Sequence, residues 1–327
     1  MAGRPSCISR GTSSSAALAA DEHSFIPVIC GPTAAGKSEI AFRLAQRVPA
    51  TLIVADSRQI YRGFDIGTAK PTDAERAAVP HRGIDVAEPT ERYSAAAWAA
   101  DAHEWIDEGR LDGRVTLVVG GTGFYLRALF DPLFEEPNLD EARRRQLEHA
   151  FSSMSVTELK RWTAVLDPDR AHLGRTQLLR AIEVALLTGR RLSALHRERA
   201  RPARHAARYL VVDPGPALAD QIATRLEAMF AGGWVEEVKS LIAELPEDAP
   251  AWNATGYRSV RDYARGAIDL PQARQRVLIE TRQYAKRQRT WLRHQLDERF
   301  VTRVNPRDPS CQAVVERWWR DATGRRA

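Results

Sequence analysis

Residues 31–38 form a glycine-rich loop that strongly limits what this 327-residue chain can fold into. Their sequence, GPTAAGKS, fits the pattern G-x-x-x-x-G-K-[ST] at every position. An apolar run at 25–30 precedes the loop and predicts a buried strand. An amphipathic stretch from Ile40 to Val48 follows and predicts a helix. A strand, a glycine loop and a helix in this order are typical of a phosphate-binding loop in an α/β protein.

This loop predicts a site for a polyphosphate. Its backbone N–H groups and the start of the next helix attract an anion. We expect the Lys37 ammonium to neutralise the outer phosphate and the Ser38 hydroxyl to hold Mg²⁺. The residues expected to bind a diphosphate or a nucleotide such as ATP are Gly31, Pro32, Thr33, Ala34, Ala35, Gly36, Lys37 and Ser38.

Strand and helix patterns alternate along the chain. Further strand patterns occur at 51–55, 115–119, 209–212 and, more weakly, 300–304. Because helical patterns lie between them, we predict an α/β fold: a P-loop parallel-sheet core wrapped by helices, an inserted all-helical subdomain and a helical C-terminal region. The expected segments are a disordered tail (1–24), the first part of the core (25–136), the inserted helical subdomain (137–205), a return to the core with basic helices (206–305) and a C-terminal helix or tail (306–327).

Composition excludes several classes of protein. No stretch has the roughly 18 continuous apolar residues that a membrane helix needs. The three cysteines lack the spacing of a metal site or a disulfide framework. We expect a cytoplasmic protein with no membrane partner, and we expect it to be a monomer.

The second strand pattern ends at Asp56, and open α/β sheets bind ligands at the carboxyl ends of their strands. Three roles remain open for this carboxylate: a Mg²⁺ ligand through water, a general base, or a cap for the next turn. The polar residues Ser57, Arg58 and Gln59 follow it and favour a recognition surface.

Two other segments have open interpretations. The loop at 63–71 contains Thr68 and Lys70, which either reach phosphate or phosphodiester oxygens or lie in a solvated turn. The strand at 115–119 leads into two glycines and Thr122, where a motor ATPase usually carries an acidic residue. The glycines either let the backbone approach a ligand or open a strand-to-helix turn. The segment favours a transferase over a mechanical ATPase.

The segment 281–293 is basic, contains no acidic residue and predicts a helix. Four basic residues share one face of that helix and form what we call the basic stripe: Arg282, Lys286, Arg289 and Arg293. Tyr284 and Trp291 lie on the opposite face, so the helix is expected to dock by its aromatic side chains. A stripe of one sign predicts contact with a phosphodiester backbone, whereas an ordinary solvated face usually mixes both signs.

Together these segments resemble the tRNA dimethylallyltransferase family. The motifs that carry the resemblance, in order along the chain, are GPTAAGKS (31–38), DSRQIY (56–61), GFDIGTAKP (63–71), PHRGID (80–85), YSAAAW (93–98), VGGTGFYLRAL (119–129), GYR (256–258) and TRQYAKRQRTWLR (281–293). The zinc-finger extension of eukaryotic members has no counterpart in this sequence, so the resemblance is to the bacterial form.

The resemblance implies an enzyme that transfers a dimethylallyl group from dimethylallyl diphosphate to N6 of adenosine 37, beside the anticodon. The implied acceptors are tRNAs reading codons that begin with U, and the products are N6-(dimethylallyl)adenosine and diphosphate. The glycine loop then binds the diphosphate with Mg²⁺ as cofactor. By resemblance Asp56 is the general base, Thr122 orients the adenine amine and Arg225 reaches the diphosphate.

The resemblance also implies a tRNA-binding surface for the anticodon stem-loop. Besides the basic stripe, the residues implied in tRNA binding are Asp56, Ser57, Arg58, Gln59, Thr122, Arg144, Thr176, Gln177, Leu178, Leu179 and Arg180. The chain departs from the family pattern twice. Thr176-Gln177 stands where the family usually has Gln-Arg, and Gln221 stands where it often has a second arginine.

Three other functions compete with this interpretation. A small-molecule kinase would use the same loop, with the helical insertion as its lid. A prenyltransferase acting on free adenine nucleotides would need neither the insertion nor the basic stripe. An RNA-binding module would keep the loop for structure alone.

Overall fold

The computed structural model describes residues 25–131, 139–198 and 203–324. The predicted tail at 1–24 and the predicted boundary between 136 and 137 both lie outside the described residues. Within the described ranges, none of the helices combines the length and apolar content required to cross a bilayer.

A six-stranded parallel sheet forms the centre of the fold. Its strands are β1 (Phe25–Cys30), β2 (Ala50–Ala55), β3 (His81–Arg82), β4 (Val115–Gly120), β5 (Ala206–Val212) and β6 (Val301–Val304). The order across the sheet is β3-β2-β4-β1-β5-β6, and every pairing is parallel. The predicted α/β class is confirmed. Strand β3 was missed, because its two residues are polar and form no apolar run.

Thirteen α-helices occur in the described residues. They are α1 (Lys37–Ala45), α2 (Asp73–Ala78), α3 (Ala95–Leu111), α4 (Gly123–Phe130), α5 (Glu141–Phe151), α6 (Val156–Leu166), α7 (Arg175–Thr188), α8 (Leu192–Glu198), α9 (Leu218–Ala231), α10 (Trp234–Glu244), α11 (Tyr257–Ala264), α12 (Leu270–Gln295) and α13 (Cys311–Thr323).

The central strands are buried almost throughout, which explains their continuous apolar sequences. Their register places four strand ends at one level. Cys30 at the end of β1 pairs with Gly120 of β4 and Val211 of β5, and Gly120 also pairs with Ala55 of β2. The segments that follow these strands therefore lie side by side at one edge of the sheet, where open α/β folds bind ligands.

Between α4 and β5, the described residues form helices α5–α8 and contain no strand. These helices have two small apolar clusters separate from the main core. One consists of Phe151, Leu159, Leu178 and Ile182, and the other of Val184, Leu192 and Leu195. This segment is helical, as the sequence predicts.

Helix α13 belongs to the core of the fold. It contacts strands β1, β5 and β6, and its Trp319 is completely buried. The predicted C-terminal helix is thus a covering element of the sheet rather than a free tail.

Candidate active site

The glycine loop runs from the end of β1 into α1 and lines a cavity of about 460 Å³. Ala34 (φ 63°) and Gly36 (φ 88°) both have left-handed backbone conformations, which fold the loop tightly before the helix begins. The Lys37 ammonium donates a hydrogen bond to the Pro32 carbonyl at 2.7 Å. This hydrogen bond holds the Lys37 side chain against the preceding part of the loop.

The charge of Lys37 is destabilised in this environment. Burial lowers its pKa from 10.5 to about 8, and the neighbouring Arg225 guanidinium acts in the same direction. The Asp56 carboxylate opposes this change but does not offset it. A bound polyanion would supply the missing negative charge, which is the property expected of an anion site.

Arg225 reaches the glycine loop from helix α9. Its Nη1 lies 3.4 Å from the Thr33 hydroxyl, and its side chain lines the same cavity as Lys37. Burial lowers the pKa of the Arg225 guanidinium, while the Asp56 charge raises it. Arg225 thus lies beside the glycine loop, and the role in diphosphate binding that the resemblance implied for it stays a prediction.

Asp56 and Thr122 follow the neighbouring strands β2 and β4. The Thr122 N–H donates to the Ala55 carbonyl at 3.1 Å, and the Thr122 hydroxyl accepts from the Ser57 N–H at 3.0 Å. One Asp56 oxygen accepts from the Arg58 N–H at 2.9 Å, as in a capping turn, while the side chain lines the cavity. The capping interpretation and the functional one are therefore compatible.

Apolar side chains from α9 and α10 complete the cavity wall. They are Ile222, Leu226, Met229 and Trp234. The Trp234 indole lies directly against Gly67, where an added Cβ would come within 2.1 Å of the ring nitrogen. The cavity thus combines a cationic loop with a hydrophobic wall, a composition that suits a ligand with a charged head and an apolar tail.

The loop at 63–71 is a fixed wall of this cavity. Lys70 is almost completely buried, and its ammonium bonds to Asp65 at 2.6 Å and also to Asp85. The Thr68 hydroxyl donates to the Phe64 carbonyl at 2.6 Å. Neither of the two open interpretations, phosphate contact or a solvated turn, describes these side chains.

Contacts from α10 and α11 hold the same loop in place. The Glu237 carboxylate accepts from the backbone N–H groups of Asp65 and Ile66, and the Tyr257 hydroxyl accepts from that of Gly67. The Tyr257 hydroxyl also donates to Glu237 at 2.6 Å. Sequence reasoning missed these anchors, because the partners are far apart in the chain.

Arg58 and Gln59, both predicted to contact tRNA, also line the cavity. The Gln59 amide donates to the carbonyls of Thr68 and Ala69 at 2.9 and 3.1 Å, so it binds the adjacent wall. The Arg58 Nε is buried and makes no hydrogen bond within the described structure.

Helix α12 docks by its aromatic face, as the sequence predicts. Tyr284 lines the cavity close to Thr122, and Trp291 packs on Gly123. Burial, followed by the Asp56 charge, raises the pKa of Tyr284 to about 12. Gln288, on the same face, bonds to both Thr33 and Gly121. Its helical spacing from Tyr284 was the one sequence signal that could have identified it.

The basic stripe requires a correction at Arg289. Its guanidinium bonds to both oxygens of Asp213 and to the Gly215 carbonyl, so it fastens α12 to the end of β5. The prediction that Arg289 stands on an exposed ridge is wrong, because Asp213 was not identified as its partner. Arg282, Lys286 and Arg293 are exposed.

Several residues predicted to contact tRNA from the helical segment serve that segment instead. Leu178 is completely buried in an apolar cluster, and Leu179 packs against the same cluster. The Gln177 side chain accepts from the Gly174 N–H at the start of α7. A direct side-chain contact between Leu178 and tRNA is excluded by this burial, whereas Thr176 is exposed.

Arg144 and Arg180 lie on either side of one carboxylate. Glu183 is buried, with Arg180 Nη1 at 2.8 Å and Arg144 Nε at 3.4 Å from the same oxygen. The two arginines thus lie close together, although they belong to different helices.

Sequence comparison places the chain among known proteins of one family. The IPP transferase family model matches residues 59–295, and the isopentenyl transferase model matches residues 25–82. A tRNA dimethylallyltransferase from Halorhodospira halophila is 44% identical over 282 residues, covering 83% of this chain and 91% of that protein. One from Bordetella petrii is 42% identical over 288 residues, covering 84% and 91%.

Solved structures give the same result. A tRNA isopentenylpyrophosphate transferase from Bacillus halodurans is similar with a TM-score of 0.65 and 31% identity, covering 90% of this chain and 94% of that one. A eukaryotic dimethylallyltransferase acting on tRNA is similar with a TM-score of 0.69 and 26% identity, covering 82% and 70%. The glycine loop, the cavity and these matches together identify the chain as a member of the tRNA dimethylallyltransferase family.

Proposed function

We propose that this enzyme transfers a dimethylallyl group from dimethylallyl diphosphate to N6 of adenosine 37, in tRNAs reading codons that begin with U. One observation carries the proposal: a cationic diphosphate loop and the Asp56 carboxylate open into the same cavity, which also has an apolar wall. This combination supplies a place for the leaving group, for the prenyl chain and for the proton of the attacking amine.

The cationic side of the cavity binds the diphosphate. Lys37 and Arg225 are half-buried cations, and desolvation lowers the pKa of both, so their charged forms are disfavoured there. The negative charge of the substrate diphosphate stabilises the charged forms of both side chains. As the C–O bond breaks, negative charge builds up on the leaving diphosphate, and these preplaced cations stabilise it.

Asp56 serves the acceptor side. The adenine N6 attacks the allylic carbon, the bond from that carbon to the diphosphate oxygen breaks, and Asp56 takes the proton from N6. Thr122, whose hydroxyl is fixed by the Ser57 N–H, helps to orient the amine. The apolar wall, including Leu226 and Met229, keeps water from capturing the allylic centre.

The residues present fit Mg²⁺ only as a partner of the diphosphate. Among the described residues no group of three or more His, Cys, Asp or Glu side chains could hold a metal ion. The exposed Ser38, in the first turn of α1, and Asp56 are the available oxygen ligands, and Mg²⁺ commonly takes the rest from phosphates and water. When bound, the ion would neutralise charge on the diphosphate.

The target adenosine lies in an anticodon loop, so its base must leave the stack to enter the cavity. We infer that Arg58 contacts this base or its neighbours, because its side chain lines the cavity beside Asp56. The exposed residues of the basic stripe and the helical segment around Thr176 would grip the RNA backbone.

A transfer assay tests this function. Protein, Mg²⁺ and radiolabelled dimethylallyl diphosphate are mixed with unmodified tRNA, with AMP and ATP as parallel acceptors. We expect label in tRNA only, and loss of the label when adenosine 37 is replaced. Label in AMP would indicate a nucleotide prenyltransferase, and ATP hydrolysis without any transfer would indicate a nucleotide site.

A further inference from the structure

Three side chains of α12 contact three consecutive residues at the end of β4. The Gln288 amide nitrogen donates to the Gly121 carbonyl at 2.9 Å, and the Tyr284 side chain lies close to Thr122. The Trp291 ring covers Gly123 so closely that an added Cβ would meet it at 2.2 Å. These three side chains share one face of the helix because of their spacing.

Gln288 differs from its two neighbours because it also contacts the glycine loop. Its amide oxygen accepts from the Thr33 N–H at 2.8 Å, and the residue is buried with 6% of its surface exposed. One primary amide therefore links the loop that binds the diphosphate to the turn that carries Thr122. The link needs an acceptor and a donor on one side chain, and a primary amide supplies both without carrying a charge.

Gly121 makes room for this amide. A Cβ at Gly121 would lie 2.3 Å from the Gln288 amide nitrogen and 2.8 Å from the Gly31 carbonyl oxygen. From the sequence, one role of the glycines in this turn is to let the backbone approach a ligand closely. At Gly121 the group that lies close to the backbone is the Gln288 side chain.

We propose that Gln288 is a positioning residue that fixes the separation between the diphosphate loop and the acceptor residues Asp56 and Thr122. The inference rests on the proposed function, which gives the loop and the turn their two substrates. Small errors in this separation reduce the rate strongly, because an in-line attack requires the reacting atoms at near-contact distance. Gln288 lines the cavity, but its amide oxygen and amide nitrogen bond to Thr33 and Gly121, and its positioning role acts through these two bonds.

The test compares two nearly isosteric variants, Gln288→Met and Gln288→Glu, with Gln275→Glu as the control. Gln275 is an exposed residue of the same helix. Gln288→Met removes both hydrogen bonds and leaves the partly buried Thr33 N–H and the buried Gly121 carbonyl without these partners. We expect kcat to fall by about 10- to 100-fold while the KM values for both substrates change less than about threefold. Gln275→Glu should match the wild type.

Gln288→Glu adds a pH readout that a purely structural role would not give. The ionised carboxylate accepts from Thr33 but repels the Gly121 carbonyl, whereas the protonated acid can serve both. Burial raises the pKa of such a carboxyl. The ratio of variant to wild-type kcat should therefore rise about tenfold between about pH 8.5 and about pH 6.

The outcomes separate the two proposals. If the wild type transfers no label to tRNA, the proposed function fails before Gln288 is considered. If it does, the positioning role is overturned by kcat values within twofold of wild type, by a pH-independent ratio for Gln288→Glu, or by a loss confined to one KM. Melting curves verify that each variant is assayed while folded, and Gln288→Glu alone decides the matter if Gln288→Met does not fold.

Discussion

The strand-end cavity and the helical segment at 139–198 use their predicted residues in opposite ways. In the cavity, Lys37, Asp56 and Arg225 come from three separate elements, and all line one space. In the helical segment, Leu178 is buried in its own cluster and Gln177 caps its own helix. The first region brings its predicted residues together around one cavity, whereas the second uses predicted residues in contacts within its own segment.

Helical geometry explains this difference. The residues that follow a parallel strand extend beyond the sheet, where a neighbouring strand no longer covers them. Five consecutive residues of a helix, such as 176–180, cover more than a full turn and cannot all face one partner. When consecutive residues of a helix are predicted to bind a partner, only those on its exposed side can make side-chain contacts. Here Thr176 is on that side and Leu178 is not.

After Asp56, the largest expected effect concerns Lys37. In Lys37→Met the leaving diphosphate loses one preplaced cation, so we expect kcat to fall by about 10²- to 10³-fold. Lys239→Met, at an exposed lysine on α10, is the matched control and should retain activity. Steady-state transfer assays on both variants provide the measurement. A loss of less than tenfold in Lys37→Met would mean that the cavity does not act on the diphosphate as described.

Variants at Leu178 and Thr176 distinguish structural residues from RNA-binding residues in the helical segment. Because its side chain is completely buried, Leu178→Ala should lower the free energy of unfolding of this segment by about 2–5 kcal/mol. Thr176→Ala, two positions earlier and exposed, should leave stability unchanged. Urea unfolding followed by circular dichroism measures both. Equal stability of the two variants would contradict the structural role of Leu178 and favour a role in RNA binding.

The pKa of Lys37 predicts how diphosphate binding depends on pH. Because the pKa is lowered to about 8, the free enzyme loses its ammonium charge as the pH rises through that value. The KM for dimethylallyl diphosphate should then increase about tenfold per pH unit above about 8. Lys37→Arg, which stays charged, should lack this increase, although its activity is expected to be lower. A flat KM up to about pH 10 in the wild type would refute the prediction.

The smallest effects concern two arginines of the same helix, Arg289 and Arg293. Arg293 is exposed, so Arg293→Ala should weaken tRNA binding a few-fold and reduce the slope of log K against log salt by about one. Arg289 is paired with Asp213, so Arg289→Ala should lower the melting temperature and leave the salt slope unchanged. Filter-binding titrations at several salt concentrations compare them. A smaller salt slope in Arg289→Ala would show that Arg289 contributes to RNA binding.

The sequence alone predicts those parts of the fold and site that depend on local patterns. Five of the six strands and the glycine loop are visible as apolar runs and a motif, and Asp56 is visible because it ends a strand. Contacts between distant residues are not visible in this way. Lys70 offered no sign that Asp65 and Asp85 would enclose it, and Gln288 lies 255 positions from Thr33.

The central claim is that Asp56 takes part in the chemistry at the strand-end cavity and is not needed for gripping tRNA. Single-turnover transfer by Asp56→Asn, with the dissociation constant for tRNA measured on the same preparation, tests it most directly. We predict a transfer rate about 10²- to 10⁴-fold below wild type and a dissociation constant within about threefold of it. A wild-type transfer rate, or a loss explained wholly by weaker tRNA binding, would contradict the account.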